Sequence, residues 1–127
     1  MDKQKKVMIV EDDEHIAKVY SIKLMREGIS SSVASDGEEA VAKITAEKPD
    51  LILLDIILPK KDGFWVLKEI KQNAELARIP VIVLSNLWQQ SDHERALVLG
   101  ANECLVKVDN PIQDIIVKIK KYLEVSK

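Results

Sequence analysis

Four short apolar runs in this chain are each followed at once by a side chain that can do chemistry. These side chains are the carboxylates, hydroxyl and ammonium of Glu11, Asp12, Asp55, Ser85 and Lys107. In an open parallel sheet the carboxyl ends of the strands share one edge, and ligands bind there. The residue types and their positions together predict one polar site at that edge.

Carboxylates that converge at such an edge require a compensating positive charge. If the strands before Glu11, Asp12 and Asp55 are neighbours, two unit charges ~4 Å apart repel by about 4 kcal/mol at an effective dielectric of 20. Oxygen ligands favour a hard cation, and Mg²⁺ needs only one or two carboxylates besides waters and phosphate oxygens. Asp13 and Glu14 have a simpler explanation, because negative side chains favour the first turn of a helix. We therefore expect a Mg²⁺ site that includes the first three acids.

Asp55 lies between two apolar runs, at residues 51–54 and 56–58. A carboxylate in such a place is costly without a partner, which makes a merely exposed strand end the less favoured explanation. A carboxylate that attacks phosphorus needs a metal ion and an ammonium group to neutralise the transferring oxygens. Ser85 and Lys107 are suitable donors, although each residue taken alone is common in a turn or facing solvent.

The elements that must position these residues follow from the hydrophobic pattern. Apolar runs of strand length occur at residues 7–10, 32–34, 51–54, 81–84 and 104–106, and helical patterns fill the intervals. This alternation predicts an α/β fold with five parallel strands and five helices that cover both faces of the sheet. Residues 35–38 and 91–94 are typical of capping boxes. Asn110 followed by Pro111 predicts an N-cap with Pro at the first helical position.

The bulk composition narrows the class of protein. At 127 residues, with 46% apolar and 31% charged residues, one soluble domain is expected. No stretch approaches the ~20 apolar residues that span a bilayer, and no secretory signal is present, so we expect a cytoplasmic protein without a membrane segment. A net charge of −2 gives no broad reason to bind nucleic acid. The single Cys104 excludes a thiolate metal site.

These motifs, in this order, resemble the receiver domain of two-component response regulators over residues 5–125. The residues that carry the resemblance are 7–13, 53–55, Leu58-Pro59 with Asp62-Gly63, 83–85, Gly100-Ala101 and Val106-Lys107. The resemblance implies a flavodoxin-like, doubly wound parallel sheet of five strands in the order 2-1-3-4-5. It also implies a single receiver domain at residues 1–127, with no room after the last helix for an output domain.

The resemblance assigns a role to each residue of the predicted site. Asp55 would be the phosphoacceptor, Ser85 would bind a phosphoryl oxygen, and Lys107 would pair with the phosphoryl group or, before phosphorylation, with Asp55. The metal would be Mg²⁺, held by the side chains of Glu11, Asp12 and Asp55 and by the backbone carbonyl of Ile57. Of the acidic pair, Asp12 would be the more direct ligand.

The resemblance also implies partners. The phosphodonor would be a histidine kinase or a phosphotransfer protein. Output would pass to another protein through the face formed by the fourth helix, the fifth strand and the fifth helix, without direct contact with nucleic acid. The chain would be a monomer or a phosphorylation-dependent homodimer, and a signalling protein rather than an enzyme, with at most slow self-dephosphorylation.

Two positions depart from the family pattern. Cys104 stands where Tyr or Phe usually acts as a rotameric switch, and a small thiol cannot perform that swing. Either other parts of the output face change in the activated state, or phosphorylation is only weakly coupled to that face. Val108 stands where Pro commonly follows the lysine, and because a cis bond before Val costs ~2.5–4 kcal/mol we expect a trans bond and a shifted loop. An inert, buried Cys104 is favoured over a redox sensor.

Three other functions compete with that of a phosphoacceptor. A phosphohydrolase that forms an aspartyl-phosphate usually has a second Asp two residues after the nucleophile, but that position is Ile57. A flavin-binding protein needs a loop rich in small residues after the first strand, and the acids at residues 11–14 would repel a phosphate there. A receiver fold that works as an interaction module without phosphorylation stays open because of Cys104. Trp88, three residues beyond Ser85, is a candidate partner contact, although packing is favoured.

Overall fold

The computed structural model describes residues 4–86 and 89–125, and within them five strands alternate with five α-helices. The elements are β1 Lys6–Val10, α1 Glu14–Arg26, β2 Ser30–Ala34, α2 Gly37–Glu47, β3 Leu51–Leu54, α3 Gly63–Lys71, β4 Val81–Ser85, α4 Gln90–Val98, β5 Glu103–Val106 and α5 Ile112–Val125. Two 3₁₀ turns occur at Leu76–Arg78 and Lys107–Asp109. All five predicted strands are confirmed, and four of them are one or two residues longer than predicted.

The five strands form one parallel sheet in the order β2-β1-β3-β4-β5. Val10 is in register with Ala34 of β2 and with Leu54 of β3, and Leu54 is in register with Val83 of β4. The carboxyl ends of these strands therefore share one edge. The chain winds outward in opposite directions from β1, so the strand order reverses between β1 and β3 and opens a crevice there. The predicted doubly wound, flavodoxin-like fold is confirmed.

Helices cover both faces of the sheet, and alternate residues of the central strands contact different helices. On β3, Ile52 and Leu54 pack in the apolar cluster that includes α2, α3 and α4, whereas Leu51 and Leu53 pack in the cluster that includes α1 and α5. Side chains alternate in this way along any strand. Because both faces are covered, β3 and β4 are buried along their whole length, which explains why they read as continuous apolar runs.

The start of α2 differs from the predicted capping box by one residue. The N-cap is Asp36, whose Oδ1 accepts a hydrogen bond from the backbone N–H of Glu39 at 2.8 Å. The reciprocal acceptor is Glu39 rather than Glu38, because Glu39 Oε1 accepts from the N–H of Ser35 at 2.7 Å. Asp caps a helix as well as Ser does, so where the two residues are adjacent, either one can serve as the N-cap.

The capping box predicted at residues 91–94 is wrong. The N-cap of α4 is Gln89, which makes no side-chain capping bond, and Ser91 already lies inside the helix. The backbone carbonyl of Gln89 accepts from the N–H groups of Asp92 and His93, so backbone groups alone begin this helix. Its first turn is therefore less firmly held than that of α2.

The start of α5 also differs from the prediction. The helix begins at Ile112, and the carbonyl of Pro111 accepts from the N–H of Ile115 at 3.2 Å, so Pro111 precedes the first helical residue. The side-chain amide of Asn110 donates to the carbonyl of Val106 at 2.8 Å instead of accepting from the helix. Asn110 thus closes the turn after β5 and does not cap α5.

The first residue of α3 lies directly against the end of β3. The N–H of Gly63 donates to the carbonyl of Ile56 at 2.8 Å. A Cβ atom at Gly63 would lie 2.5 Å from the carbonyl oxygen of Asp55 and 2.7 Å from the Cα of Ile56. Only glycine permits this approach, so this position constrains the backbone of Asp55.

We expect Gly63→Ala to lower the free energy of unfolding by about 3 kcal/mol, at the upper end for overpacking, because the contacts are with backbone. Urea denaturation measures this loss. Gly28→Ala is the control: Gly28 has a φ of 78° with nothing near its Cβ position, so only backbone strain of roughly 1 kcal/mol is expected. Equal losses in the two variants would contradict the close approach at Gly63.

Candidate functional site

The ends of β1 and β3 bring three acids together. One carboxylate oxygen from each of Glu11, Asp12 and Asp55 lies within 4.8 Å of the other two. Glu11 and Asp55 are only 5% and 8% exposed, whereas Asp12 is exposed to solvent. The N–H of Asp55 donates to the carbonyl of Val10 at 3.0 Å, so the sheet ladder itself places the two strand ends side by side. The convergence predicted for these three acids is present.

Lys107, in the turn after β5, lies between two of these acids. Its Nζ atom is 2.5 Å from Oε1 of Glu11 and 3.0 Å from Oδ2 of Asp55. Burial lowers the pKa of Lys107, but the hydrogen bond to Glu11 and the charge of Asp55 outweigh that effect, so the pKa lies above its ordinary value. The side chain is therefore a fixed ammonium at neutral pH. The peptide bond before Val108 is trans, as predicted.

Glu11 carries a charge that is poorly solvated. Burial raises the pKa of Glu11, and this effect exceeds the lowering by the hydrogen bonds from Lys107 and from the N–H of Asp13. The second of these bonds runs from the N–H of Asp13 to Oε2 of Glu11 at 3.1 Å. A buried carboxylate with a raised pKa is stabilised by any further positive charge that enters the cluster.

The two oxygens of Asp55 have different partners. Oδ2 accepts from Lys107, and Oδ1 accepts from the backbone N–H of Ile57 at 3.2 Å. The side chain of Ile57 is 57% exposed. Asp55 is thus held in one orientation by a cation on one side and by its own loop on the other.

Ser85 ends β4 at the same edge of the sheet and is 3% exposed. Among the residues that the structure describes, no group makes a hydrogen bond with its Oγ atom. A buried hydroxyl without a partner costs about 1–3 kcal/mol. Ser85 is therefore a free donor and acceptor at the sheet edge.

Tyr20 belongs to the surroundings of the site and was not predicted from the sequence. It is 8% exposed and lines a cavity of about 10 Å³ together with Glu11, Asp55 and Lys107. Burial raises the pKa of its hydroxyl. Helical spacing could have identified it as a buried residue, because Ala17, Tyr20 and Leu24 form the buried face of α1. A tyrosine on that face places a polar tip next to the charged cluster.

Cys104 is half-buried in β5. Burial and the nearby charge of Asp92 raise the pKa of its thiol, which keeps the sulfur protonated at neutral pH. A protonated thiol is a poor nucleophile. Trp88, the candidate partner contact, lies outside the described residues.

Residues 7–120 match the family model described as the response regulator receiver domain. The chain belongs to this family. Among curated relatives, the alkaline phosphatase synthesis transcriptional regulatory protein PhoP of Bacillus subtilis (strain 168) is 37% identical over 122 residues, which cover 96% of this receiver chain and 50% of that protein. The probable transcriptional regulator ycf27 of Guillardia theta is 37% identical over 111 residues, which cover 87% of this receiver chain and 42% of that protein. The receiver chain spans about half the length of these relatives.

Solved receiver domains have the same fold. The receiver domain of the Francisella response regulator 1452 superposes with a TM-score of 0.89 at 30% identity, over 98% of this chain and 100% of that one. The BeF3-activated N-terminal receiver domain of Klebsiella pneumoniae RstA superposes with a TM-score of 0.86 at 28% identity, over 94% of this chain and 98% of that one. The resemblance to two-component receiver domains is thus confirmed. Across the described part of the receiver, no helix has the length and apolar character to cross a bilayer.

Proposed function

We propose that this receiver chain takes up a phosphoryl group on Asp55 from a histidine kinase or a phosphotransfer protein. The observation that carries the proposal is the state of Asp55, a buried carboxylate bonded to Lys107 at 3.0 Å and clustered with two other acids. Burial of a charge is tolerated where it serves chemistry and is compensated.

The donor set fits Mg²⁺. Three carboxylates stand against one ammonium, which leaves two negative charges for a divalent cation to balance. All donors are oxygens, as Mg²⁺ prefers. The ligands would be Glu11, Asp12, Asp55 and the backbone carbonyl of Ile57. When bound, the ion would neutralise charge on the oxygens of the transferring phosphoryl group.

The residues of the chain have separate tasks in the transfer. A carboxylate oxygen of Asp55 attacks phosphorus, a P–O bond forms, and the bond from phosphorus to the donor nitrogen or oxygen breaks, with the electron pair leaving on the donor. Lys107 loses Asp55 as one of its two carboxylate partners and follows the new negative charge on the phosphoryl oxygens. Ser85 donates its unpaired hydroxyl to one of those oxygens. Positioning and charge neutralisation account for most of the catalysis in such transfers.

We further propose that these 127 residues work as one receiver unit in the cytoplasm, as a signalling protein with at most slow self-dephosphorylation. The output would be contact with another protein through α4, β5 and α5. Leu97 and Val98 support this face, because they leave 49% and 86% of their surfaces exposed on α4. The unit would be monomeric or a phosphorylation-dependent homodimer, and would not itself contact nucleic acid.

Incubation with acetyl phosphate tests the proposal. With Mg²⁺ present, intact mass spectrometry is expected to show one added phosphoryl group per chain, and with EDTA in place of Mg²⁺ none. The adduct should be removed by hydroxylamine, as an acyl phosphate is. Absence of an adduct, or equal uptake in EDTA, would overturn the proposal and favour an interaction module that works without phosphorylation.

A further inference from the structure

Helix α4 buries little of its surface against the described part of the chain. Ala96 is the one buried residue within Gln90–Val98, and the helix start has no side-chain cap. By contrast, α3 buries five of its nine residues. A helix with so little buried apolar surface and an uncapped first turn opens at low free energy. Any single contact that ties α4 down therefore matters to its position.

One such contact joins α4 to α3. The guanidinium carbon of Arg95 lies 4.1 Å from the centre of the Phe64 ring. Phe64 is 6% exposed, whereas Arg95 is exposed, so a cation in contact with solvent rests on a buried aromatic ring. A cation over a ring at this distance is attracted by the ring quadrupole.

The ring is also linked to the phosphorylation site. Phe64 follows Gly63, whose N–H donates to Ile56 and whose Cα lies so close to Asp55 that a Cβ would be 2.5 Å from its carbonyl oxygen. A shift of the backbone at Asp55 must therefore move the first turn of α3. Ser85, at the other side of the site, is separated from the first residue of α4 by four residues. The α3 end of the α3–α4 contact is thus tied to the site by direct contacts, and the α4 end follows Ser85 closely in the sequence.

We propose that the stack of Arg95 on Phe64 couples α4 to the state of Asp55. The contact sets the position of α4 in the unphosphorylated chain, and phosphorylation shifts α4 against it. This inference rests on the proposed phosphorylation of Asp55. Coupling requires an element whose position both sites bias, and in this proposal that element is α4, whose opening the experiments below measure.

The first experiment needs no phosphorylation. Hydrogen–deuterium exchange of the α4 peptide, followed by mass spectrometry, is expected to show a two- to fivefold larger opening equilibrium in Arg95→Ala, about the worth of an exposed cation–π contact. Phe64→Leu should raise the opening equilibrium at least as much, because it also removes packing of a buried ring, and Arg95→Ala should add nothing further in that background. Glu94→Ala, on the neighbouring exposed residue, is the control and should match the wild type. An Arg95→Ala variant that exchanges like the wild type would overturn the proposal.

The second experiment adds acetyl phosphate and Mg²⁺. The wild type and Glu94→Ala should change their α4 exchange on phosphorylation. Arg95→Ala should take up one phosphoryl group to the wild-type extent but lose more than half of that change, and Arg95→Lys should recover part of it. A full response in Arg95→Ala, or phosphoryl uptake by the wild type without any response in α4, would overturn the coupling alone. Failure of the wild type to take up phosphoryl would sink the proposed function and the coupling with it.

Discussion

Asp55→Asn is expected to abolish phosphoryl uptake from acetyl phosphate in the presence of Mg²⁺, where the wild type takes up one group. An amide is a far weaker nucleophile than a carboxylate and cannot form the acyl phosphate. The side chain keeps nearly the same shape, so the packing around it is retained. Intact mass spectrometry of both proteins, under the same conditions, measures the difference.

The same substitution at Asp50 provides a matched control. Asp50 lies just before β3, at the opposite end of the strand from Asp55, and its Oδ2 accepts from the N–H of Lys6 at 2.9 Å. Asp50→Asn should be phosphorylated like the wild type. Asp55→Asn should melt no lower than the wild type, because it removes one charge from a crowded cluster. An adduct on Asp55→Asn would show that another acid is the acceptor.

Lys107→Met is expected to lower the free energy of unfolding by about 3 kcal/mol in EDTA, because removal of one partner leaves buried charges uncompensated. The Lys107 side chain is 16% exposed and bonds to two carboxylates that are themselves buried. Methionine keeps most of the apolar length of the lysine. Mg²⁺ should restore more stability to this variant than to the wild type, since the ion replaces the missing charge and no ammonium competes with it. Urea denaturation with and without Mg²⁺ measures both effects.

Lys118→Met is the matched control for that experiment. Lys118 pairs with Glu103 at 3.1 Å, but its side chain is 37% exposed. An ion pair in contact with solvent contributes about 0–1 kcal/mol, so the loss should be small and independent of Mg²⁺. Equal losses in the two variants would contradict the role assigned to the buried lysine.

The strands could be predicted closely, and the helix starts only in part. Strands buried on both faces read as apolar runs, which is why Leu51–Leu54 was predicted with its observed bounds. The N-cap of α2 is Asp36, one residue after the predicted Ser35. Both side chains are good acceptors, and local chemistry alone does not choose between them. At α4 the predicted cap was wrong because the helix begins at Gln90, one residue before Ser91, and its N-cap Gln89 offers only a backbone carbonyl.

The members of the site, the convergence of its acids and the pairing of Lys107 with Asp55 could be predicted, but the bond from Lys107 to Glu11 could not. Acids and a lysine at strand ends follow from position in the sequence and from the resemblance. Lys107, however, is separated by 52 residues from Asp55 and by 96 from Glu11. Which acids share the ammonium depends on how β5 lies beside the other strands. Whether the hydroxyl of Ser85 finds a hydrogen-bond partner likewise depends on the groups that pack around it, and among the described residues it finds none.

The amino-acid sequence by itself determined the alternation of strands and helices, the edge of the sheet at which charge collects, and the membership of a family. These features depend on hydrophobic periodicity and on short motifs, which are local properties of the chain. Only the tertiary structure decided that Lys107 bridges two acids and that Arg95 rests on Phe64. Distances between side chains that are far apart in the sequence arise from the packing of whole elements against one another, and no local pattern encodes them.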